Sequence, residues 1–211
     1  MSDIFVLSEK RYEGAKNLPV IVFDYYDIEV TLAPYDALIF TSKNGVRALD
    51  AVNGCWRAKA IYSIGSGTSA AVRALGGEIA YEARSSYGDD FAREIAARLR
   101  GKKVLFLRAK TVTSRLNEIL REAGVKLDEE VIYETRCNDC DRLTPPLEGS
   151  VIIFSSPSTI DCFFRCFAWH PTYRAVVIGE RTAAHMPEGI DFVTAKAQTI
   201  PACIETARAL V

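Results

Sequence analysis

The sequence contains an internal duplication, and this feature restricts the possible folds more than any other. Residues 36–46 (DALIFTSKNGV) resemble residues 150–160 (SVIIFSSPSTI), 114 positions later. A second match aligns the letters SIGSGTSA with VIGERTAA at the same offset, so that Gly65 pairs with Gly179. A repeat at a fixed offset indicates that one structural unit occurs twice within the 211 residues.

The repeated segments have the pattern of an α/β protein with parallel sheets. Ile4–Ser8 resembles Val104–Arg108, so the chain reads a–b–a′–b′, with two predicted strands in each a segment and three in each b segment. Continuous apolar runs bounded by turn residues are typical of parallel strands that are buried on both faces. The predicted strands are Ile4–Leu7, Val20–Phe23, Ala37–Phe40, Ile61–Ile64, Ile79–Tyr81, Val104–Leu107, Leu127–Tyr133, Val151–Phe154, Ala175–Ile178 and Phe192–Thr194. Between them, Asp89–Leu99 and Ser114–Ala123 carry the clearest helical periodicity.

Five strands per unit suit a flavodoxin-like sheet of order 2-1-3-4-5, and two domain arrangements remain open. Tandem domains would pair a with b and a′ with b′, joined near Gly101. The join at Gly101 is short and resembles an ordinary helix-to-strand turn within one sheet. We therefore favour an exchanged arrangement, in which b and a′ form a middle domain, a and b′ form the other domain, and two linkers connect them. We therefore predict a terminal lobe of residues 1–27 and 136–211, an inserted lobe of 28–135, and linkers near 27–35 and 134–149.

Charge and composition exclude several classes of protein. Lys and Arg number 26 and Asp and Glu number 27, a net charge of −1 that argues against nucleic-acid partners and a polybasic membrane surface. No apolar run approaches the roughly 20 residues of a membrane-spanning helix. We expect a cytoplasmic protein that keeps its six cysteines reduced.

Four of the cysteines form two short motifs. Cys137 and Cys140 form a CxxC, and Cys162 and Cys166 lie one turn apart on a predicted helix. Four thiols could bind zinc, but this spacing matches no standard zinc module, so we predict no metal.

The candidate ligand-binding residues lie where the predicted strands of the b segments end. The first strand of each copy ends in hydroxyl residues, and the second ends in Gly-x-x-Thr. Ligands of open α/β sheets bind at such carboxyl ends, and helix N-termini with free N–H groups attract anions. Each turn alone is more typical of helix capping than of a ligand site, whereas four in matched pairs fit an anion site as well as they fit capping. The candidates are Thr41, Ser42, Gly65, Thr68, Ser156, Ser158, Gly179 and Thr182, with Arg108 at the end of a neighbouring strand.

A nucleotide-binding alternative rests on residues 65–70, which match G-x-G-x-x-A and precede Glu82. The second copy reads Gly-Glu-Arg-Thr, and no hydride-transfer residues accompany the motif. His170 and His185 lie outside any recognisable catalytic motif. We therefore predict no cofactor.

The motifs together resemble those of the uroporphyrinogen-III synthase family. They are ALIFTSKNGV, YSIGSGTSAAV, VLFLRA, VIYET, IIFSSPSTI and VVIGERTAA followed by AKAQTI, and they cover nearly the whole chain in the family's order. The resemblance implies two flavodoxin-like α/β lobes joined by a two-stranded linker, with both termini in one lobe. It also implies the cofactor-free cyclisation of hydroxymethylbilane to uroporphyrinogen III, with inversion of the last pyrrole ring and loss of water, in the cleft between the lobes. A non-catalytic two-lobed protein that binds an anionic small molecule remains the alternative.

The resemblance also assigns roles to residues. Tyr133, in Val-Ile-Tyr-Glu-Thr, corresponds to the family's tyrosine and is predicted to donate a proton to the leaving hydroxyl or to orient it. The turn residues named above, with Arg108, are predicted to bind the substrate's eight carboxylates, and we expect a monomer. Two departures concern these turns: Lys43 stands where the second copy has Pro157, and Pro187 shortens the helix after Thr182.

Overall fold

The structure is a computed structural model that describes residues 2–85 and 87–211. Its contacts divide the chain into a terminal unit, made of the residues up to Val22 and Arg136–Val211, and an inserted unit, Phe23–Thr135. The chain thus crosses between the units twice. Both crossings lie inside β-strands, whereas the sequence predicted the loops 27–35 and 134–149 as linkers. At the first crossing the apolar residues 21–23 continue the strand through the boundary, whereas at the second β8 continues through the polar residues 134–136.

Strands and helices alternate along most of the chain. The strands are β1 (Ile4–Val6), β2 (Lys16–Asn17), β3 (Ile21–Tyr25), β4 (Ala37–Phe40), β5 (Ala60–Ser63), β6 (Ile79–Glu82), β7 (Lys103–Ala109), β8 (Lys126–Cys137), β9 (Val151–Phe154), β10 (Arg174–Val177) and β11 (Phe192–Thr194). The helices are α1 (Lys43–Val52), α2 (Ser66–Ala74), α3 (Gly88–Leu99), α4 (Leu116–Glu122), α5 (Pro157–Cys166), α6 (Glu180–Ala183) and α7 (Ile200–Arg208). None of the helices within the described ranges combines the length and apolar character that a membrane crossing requires.

The terminal unit contains a five-stranded parallel sheet of order β2-β1-β9-β10-β11. Counted along the chain within this unit, the order is 2-1-3-4-5, the predicted order, but its second strand is Lys16–Asn17 and not the predicted Val20–Phe23, which belongs to the other sheet. One face carries an aliphatic core that includes Val6, Ile153 and Val176. Aromatic rings lie around Phe154 and Phe163, whose centroids are 5.5 Å apart.

The inserted unit contains a six-stranded sheet of order β3-β8-β7-β4-β5-β6. Its five parallel strands, counted along the chain, have the order 3-2-1-4-5 rather than 2-1-3-4-5, because segment b precedes segment a′ in this unit. The sixth strand, β3, lies beside β8, and the Tyr26 N–H donates to the Ile132 carbonyl just beyond its end. Leu38 and Phe40 belong to one apolar cluster and Ile39 to another, so β4 is buried on both faces.

Two disulfides contradict the prediction that all six cysteines are reduced. Cys137 is bonded to Cys162 and Cys140 to Cys166, and the Cα atoms of each pair are 5.0 Å apart. The pairing arises because the end of β8 and the turn after it lie beside α5, where Cys162 and Cys166 are one helical turn apart. Cys55 and Cys203 remain free thiols.

Candidate functional site

The first candidate turn follows β4, which lies between β5 and β7 in the middle of the inserted sheet. Thr41 and Ser42 are half-buried there, and Ser42 is the N-cap of α1. The Ser42 Oγ accepts the Asn44 N–H at 3.1 Å. Lys43 begins the helix at the place that Pro157 takes in the second copy, so this departure leaves the strand–turn–helix geometry intact.

Tyr133 on β8 lies beside this turn, within the same unit. Its side chain is only 5% exposed, and its phenol is hydrogen-bonded to the Ser42 side chain. Burial raises the pKa of the Tyr133 phenol above its ordinary value, the Ser42 hydrogen bond opposes this rise in pKa, and the neighbouring Tyr25 phenol adds to it. The neutral, proton-carrying form therefore prevails at neutral pH.

Tyr25 and Asn44 belong to the same cluster, although the sequence analysis did not select either residue. The Tyr25 ring meets Tyr133 edge-on with 6.5 Å between centroids, and the Tyr25 hydroxyl donates to Asn44 Oδ1 at 3.4 Å. A Cβ at Gly45 would make an ordinary contact with the Tyr133 ring at 3.7 Å but a tight one with the Leu107 carbonyl oxygen at 3.3 Å, so this glycine lets α1 approach β7 closely. The position of Asn44 two residues after a predicted cap was the only sequence signal.

The second turn of the inserted unit joins β5 to α2. Gly65 has a φ of +73°, a backbone conformation that favours glycine, and the space where a Cβ would lie is open. The hydroxyls of Ser63 and Ser69 are 2.7 Å apart and fix the start of α2 on the strand. Thr68 is buried, which favours a packing role for its side chain. Because the N–H groups of Thr68 and Ser69 donate to the Gly65 carbonyl, those of Ser66 and Gly67 are the candidate donors of this turn.

Arg108 lies at the end of β7 but its guanidinium has partners within the sheet. Its Nε is 2.6 Å from Glu129 Oε2, a close ion contact without hydrogen-bond geometry, and one terminal nitrogen donates to the carbonyls of Ala109 and Lys110. Burial alone would raise the pKa of Glu129, but the hydrogen bond from Asn117 and the nearby guanidinium groups lower it overall. We therefore assign Arg108 to this ion pair and not to the proposed binding set.

The terminal unit repeats the first turn after β9. Ser156 caps α5, and its hydroxyl lies 3.0 Å from that of Ser158. The Ser156 N–H donates to Thr159 Oγ1 at 3.2 Å, which completes the cap. Both serines are half-buried, like Thr41 and Ser42 in the other copy.

The last turn, between β10 and α6, differs from its counterpart. Gly179 is extended, and a Cβ there would meet the Gln198 amide at 2.9 Å. Thr182 is buried, and α6 has only four residues, in agreement with the short helix predicted from Pro187. A helix this short offers a much weaker anion site than α2.

A metal centre would need several ligating side chains that converge on one point. Within 2–85 and 87–211, no group of three or more His, Cys, Asp or Glu side chains is arranged to hold a metal ion.

Comparison with known families gives a match over most of the chain. The uroporphyrinogen-III synthase HemD family model matches residues 18–205. The chain belongs to the uroporphyrinogen-III synthase family. Members of this family are cyclising lyases of heme biosynthesis, and their substrate is a small tetrapyrrole. A comparison with curated proteins gave no match.

Solved structures support the assignment to this family. The uroporphyrinogen-III synthetase from Helicobacter pylori is 30% identical, with a TM-score of 0.85 and complete coverage of both chains. A mutant uroporphyrinogen III synthase from Thermus thermophilus is 12% identical, with a TM-score of 0.59 over 100% of this chain and 98% of that one. The second likeness concerns the fold alone.

Proposed function

We propose that this chain converts hydroxymethylbilane to uroporphyrinogen III, with Tyr133 as the proton donor to the leaving hydroxyl. The observation that carries this proposal is the buried Tyr133 phenol, hydrogen-bonded to Ser42 where the central strand β4 of the inserted sheet ends. A phenol of ordinary pKa already holds its proton at neutral pH, and burial, which raises the pKa of Tyr133, keeps it protonated to higher pH. The same burial restricts the number of orientations in which it can donate that proton.

The proposed reaction begins with the loss of the substrate's terminal hydroxyl. Tyr133 gives its proton to that hydroxyl, which leaves as water, and the remaining substrate is a cationic azafulvene. The azafulvene carbon bonds to the substituted α-carbon of the last pyrrole ring, which makes a spiro intermediate. The bond from that α-carbon to the methylene of the neighbouring ring then breaks, and this methylene carbon, now itself part of a cationic azafulvene, bonds to the unsubstituted α-carbon, so that the last ring is inverted. The ring carbon that forms the new bond finally loses a proton, and the Tyr133 phenolate recovers it. Protons therefore balance without a cofactor.

The positions of Ser42, Tyr25 and Asn44 suggest how the donor is oriented. Ser42 is fixed by the Asn44 N–H and in turn bonds the Tyr133 hydroxyl, while Tyr25 covers one side of the ring. We assign Ser42 a positioning role, because it acts on the substrate through Tyr133. Oriented groups of this kind matter here because unassisted closure gives the wrong isomer.

Backbone and hydroxyl donors at the turns are proposed to bind the substrate's carboxylates. In the inserted unit these are Thr41 and the N–H groups that follow Gly65, and in the terminal unit they are Ser156 and Ser158. Helix N-termini and half-buried hydroxyls suit carboxylates without a large positive charge, which fits a net charge of −1. The buried Thr68 and Thr182 support these turns by packing.

The remaining expectations concern partners and location. We propose a monomer that has no nucleic-acid partner and acts in the cytoplasm. The balanced charge supports the second of these expectations.

Turnover is the test of this proposal. Freshly generated hydroxymethylbilane should disappear faster than it cyclises spontaneously when the chain is present at a small fraction of the substrate concentration. Consumption of many substrate molecules per chain supports an enzyme. Consumption that stops at about one substrate per chain, or that stays at the spontaneous rate, contradicts it.

A further inference from the structure

The four disulfide-bonded cysteines form a compact cluster in the terminal unit, and none of the residues proposed for catalysis belongs to it. Cys137 ends β8, and Cys140 begins the short 3-10 turn of residues 140–142. Cys162 and Cys166 lie on the α5 face that β8 approaches. The structure therefore brings together two motifs that are far apart in the sequence.

In the disulfide form these four sulfurs are not arranged to hold a metal ion, but reduction of both bonds would free four sulfur ligands on two adjacent segments. Residues four apart on a helix lie on the same face, so Cys162 and Cys166 point in a common direction. Cys137 and Cys140 have the two-residue spacing that zinc-binding cysteine pairs use. Each cysteine of one motif has its Cα 5.0 Å from a cysteine of the other. Four thiolates around zinc, with Zn–S bonds of about 2.3 Å, lie about 3.8 Å from one another, which side chains from these positions can reach.

As covalent links, the two disulfides are largely redundant. Each joins the same two segments, with sequence separations of 25 and 26 residues. Once one bond has closed this loop, the second closes only a short ring, so it removes much less entropy from the unfolded chain. A single link would hold β8 to α5, whereas a metal site needs all four sulfurs.

Cys55 indicates that the chain exists in a thiol-preserving environment. It is exposed and unpaired. An exposed free thiol is uncommon in oxidising compartments, where it forms unwanted disulfides, and stable disulfides are rare in reducing ones. In the environment that suits Cys55, the two disulfides that the structure shows would be open to reduction.

We propose that the reduced chain binds one Zn²⁺ through Cys137, Cys140, Cys162 and Cys166. Reduction of both disulfides takes four electrons and four protons, which two equivalents of a dithiol reductant supply. The four thiols then release four protons as they ligate the ion. The oxidised form has no metal-binding cluster because each of these sulfurs is already bonded to another. The bound ion would tie the end of β8 to α5.

The test begins with the full-length chain reduced in the absence of oxygen. After addition of Zn²⁺ and gel filtration against a weak chelator, elemental analysis should give about one zinc per chain. Co²⁺ in place of zinc should give the visible d–d bands of a tetrahedral thiolate site. Cys140→Ser should lower zinc retention by about tenfold or more, because loss of a ligand costs at least as much as loss of a supporting contact. The matched control Cys55→Ser should retain the same zinc as the parent chain.

Two results would overturn the proposal. One is a reduced parent chain that retains no zinc, or a Cys55→Ser variant that loses as much as Cys140→Ser. The other comes from the unmodified chain, so it does not depend on whether a variant folds. If alkylation of freshly broken cells, in denaturant with a chelator that strips zinc, labels Cys137, Cys140, Cys162 and Cys166 only after a reductant is added, they are disulfides in the cell and the zinc site is not the native state.

Discussion

Replacing Tyr133 by phenylalanine removes one hydroxyl and leaves the packed ring in place. The ring contacts with Phe23 and Tyr25, at centroid distances of 6.5 Å, are retained. The loss of one neutral hydrogen bond lowers the free energy of unfolding by about 1 kcal/mol. Ser42 still accepts the Asn44 N–H, so no buried hydroxyl is left without a partner. The variant should therefore fold with a slightly lower melting temperature.

The effect of the same change on catalysis should be much larger. Loss of a general acid lowers turnover by about 10² to 10⁴-fold, which corresponds to about 3 to 5 kcal/mol in the activation barrier. The loss should be in kcat, while the KM for hydroxymethylbilane changes little, because the turns that bind carboxylates are intact. Tyr62→Phe is the matched control. Tyr62 is also 5% exposed in the inserted unit but belongs to the other apolar cluster, so its loss should leave kcat unchanged.

The assay measures initial rates with enzymatically generated hydroxymethylbilane, together with thermal unfolding of each variant. Equal kcat values for Tyr133→Phe and the parent chain would remove Tyr133 from the mechanism. Equal losses in Tyr133→Phe and Tyr62→Phe would show that the effect is structural.

The raised pKa of Tyr133 adds a pH dependence to this prediction. Because burial places its pKa above the ordinary value of 10.0, ionisation should lower kcat only at pH values beyond 10. The unfolded chain ionises this group first, so the free energy of unfolding decreases as the pH rises above 10 and is unaffected by Tyr133 below it. In Tyr133→Phe the residual rate should lack this alkaline decrease. A decrease of the same midpoint in both chains would assign it to another group.

Two further predictions concern packing and thiol reactivity. Gly77→Ala should lower the free energy of unfolding by about 1 to 3 kcal/mol, because the new Cβ would press into the fully buried Trp56 ring and lie 2.9 Å from Val72. Gly67→Ala, where α2 has open space, should raise the free energy of unfolding by up to about 1 kcal/mol. Denaturant unfolding of both variants checks these values. Burial raises the pKa of the Cys203 thiol to about 11, whereas Cys55 is exposed. Timed alkylation at pH 8, followed by mass spectrometry, should therefore find Cys55 modified long before Cys203. Equal rates of alkylation at the two cysteines would contradict the burial of Cys203.

The fold was predictable where local sequence determines it. Ala37–Phe40, Val151–Phe154 and Phe192–Thr194 are strands with the predicted bounds, because each is an apolar or β-branched run. The strand Lys16–Asn17 was missed because it is a short, polar edge strand whose only signal is its pairing with β1. The placement of Ile21–Tyr25 beside β8 likewise depends on distant partners, which a local pattern does not contain.

The sequence identified individual residues of the candidate site but not the contacts between them. Motifs selected Tyr133 and Ser42 separately, and only the fold brings their hydroxyls together. The sequence also predicted that Thr68 would present its hydroxyl to a ligand, but a helical position that faces the sheet buries this side chain. The ion partner of Arg108 lies on the neighbouring strand β8, and the cysteine pairing depends on where that strand ends. Such details require the sheet register.

The isomer composition of the product tests the central claim most directly. Hydroxymethylbilane is supplied in large excess over the chain, the porphyrinogens are oxidised, and the type I and type III isomers are separated. Spontaneous closure gives type I, because it does not invert the last ring. The proposed function predicts that type III predominates and that its rate of formation is proportional to the concentration of the chain. A product that is type I alone, formed at the spontaneous rate, would contradict the proposed function.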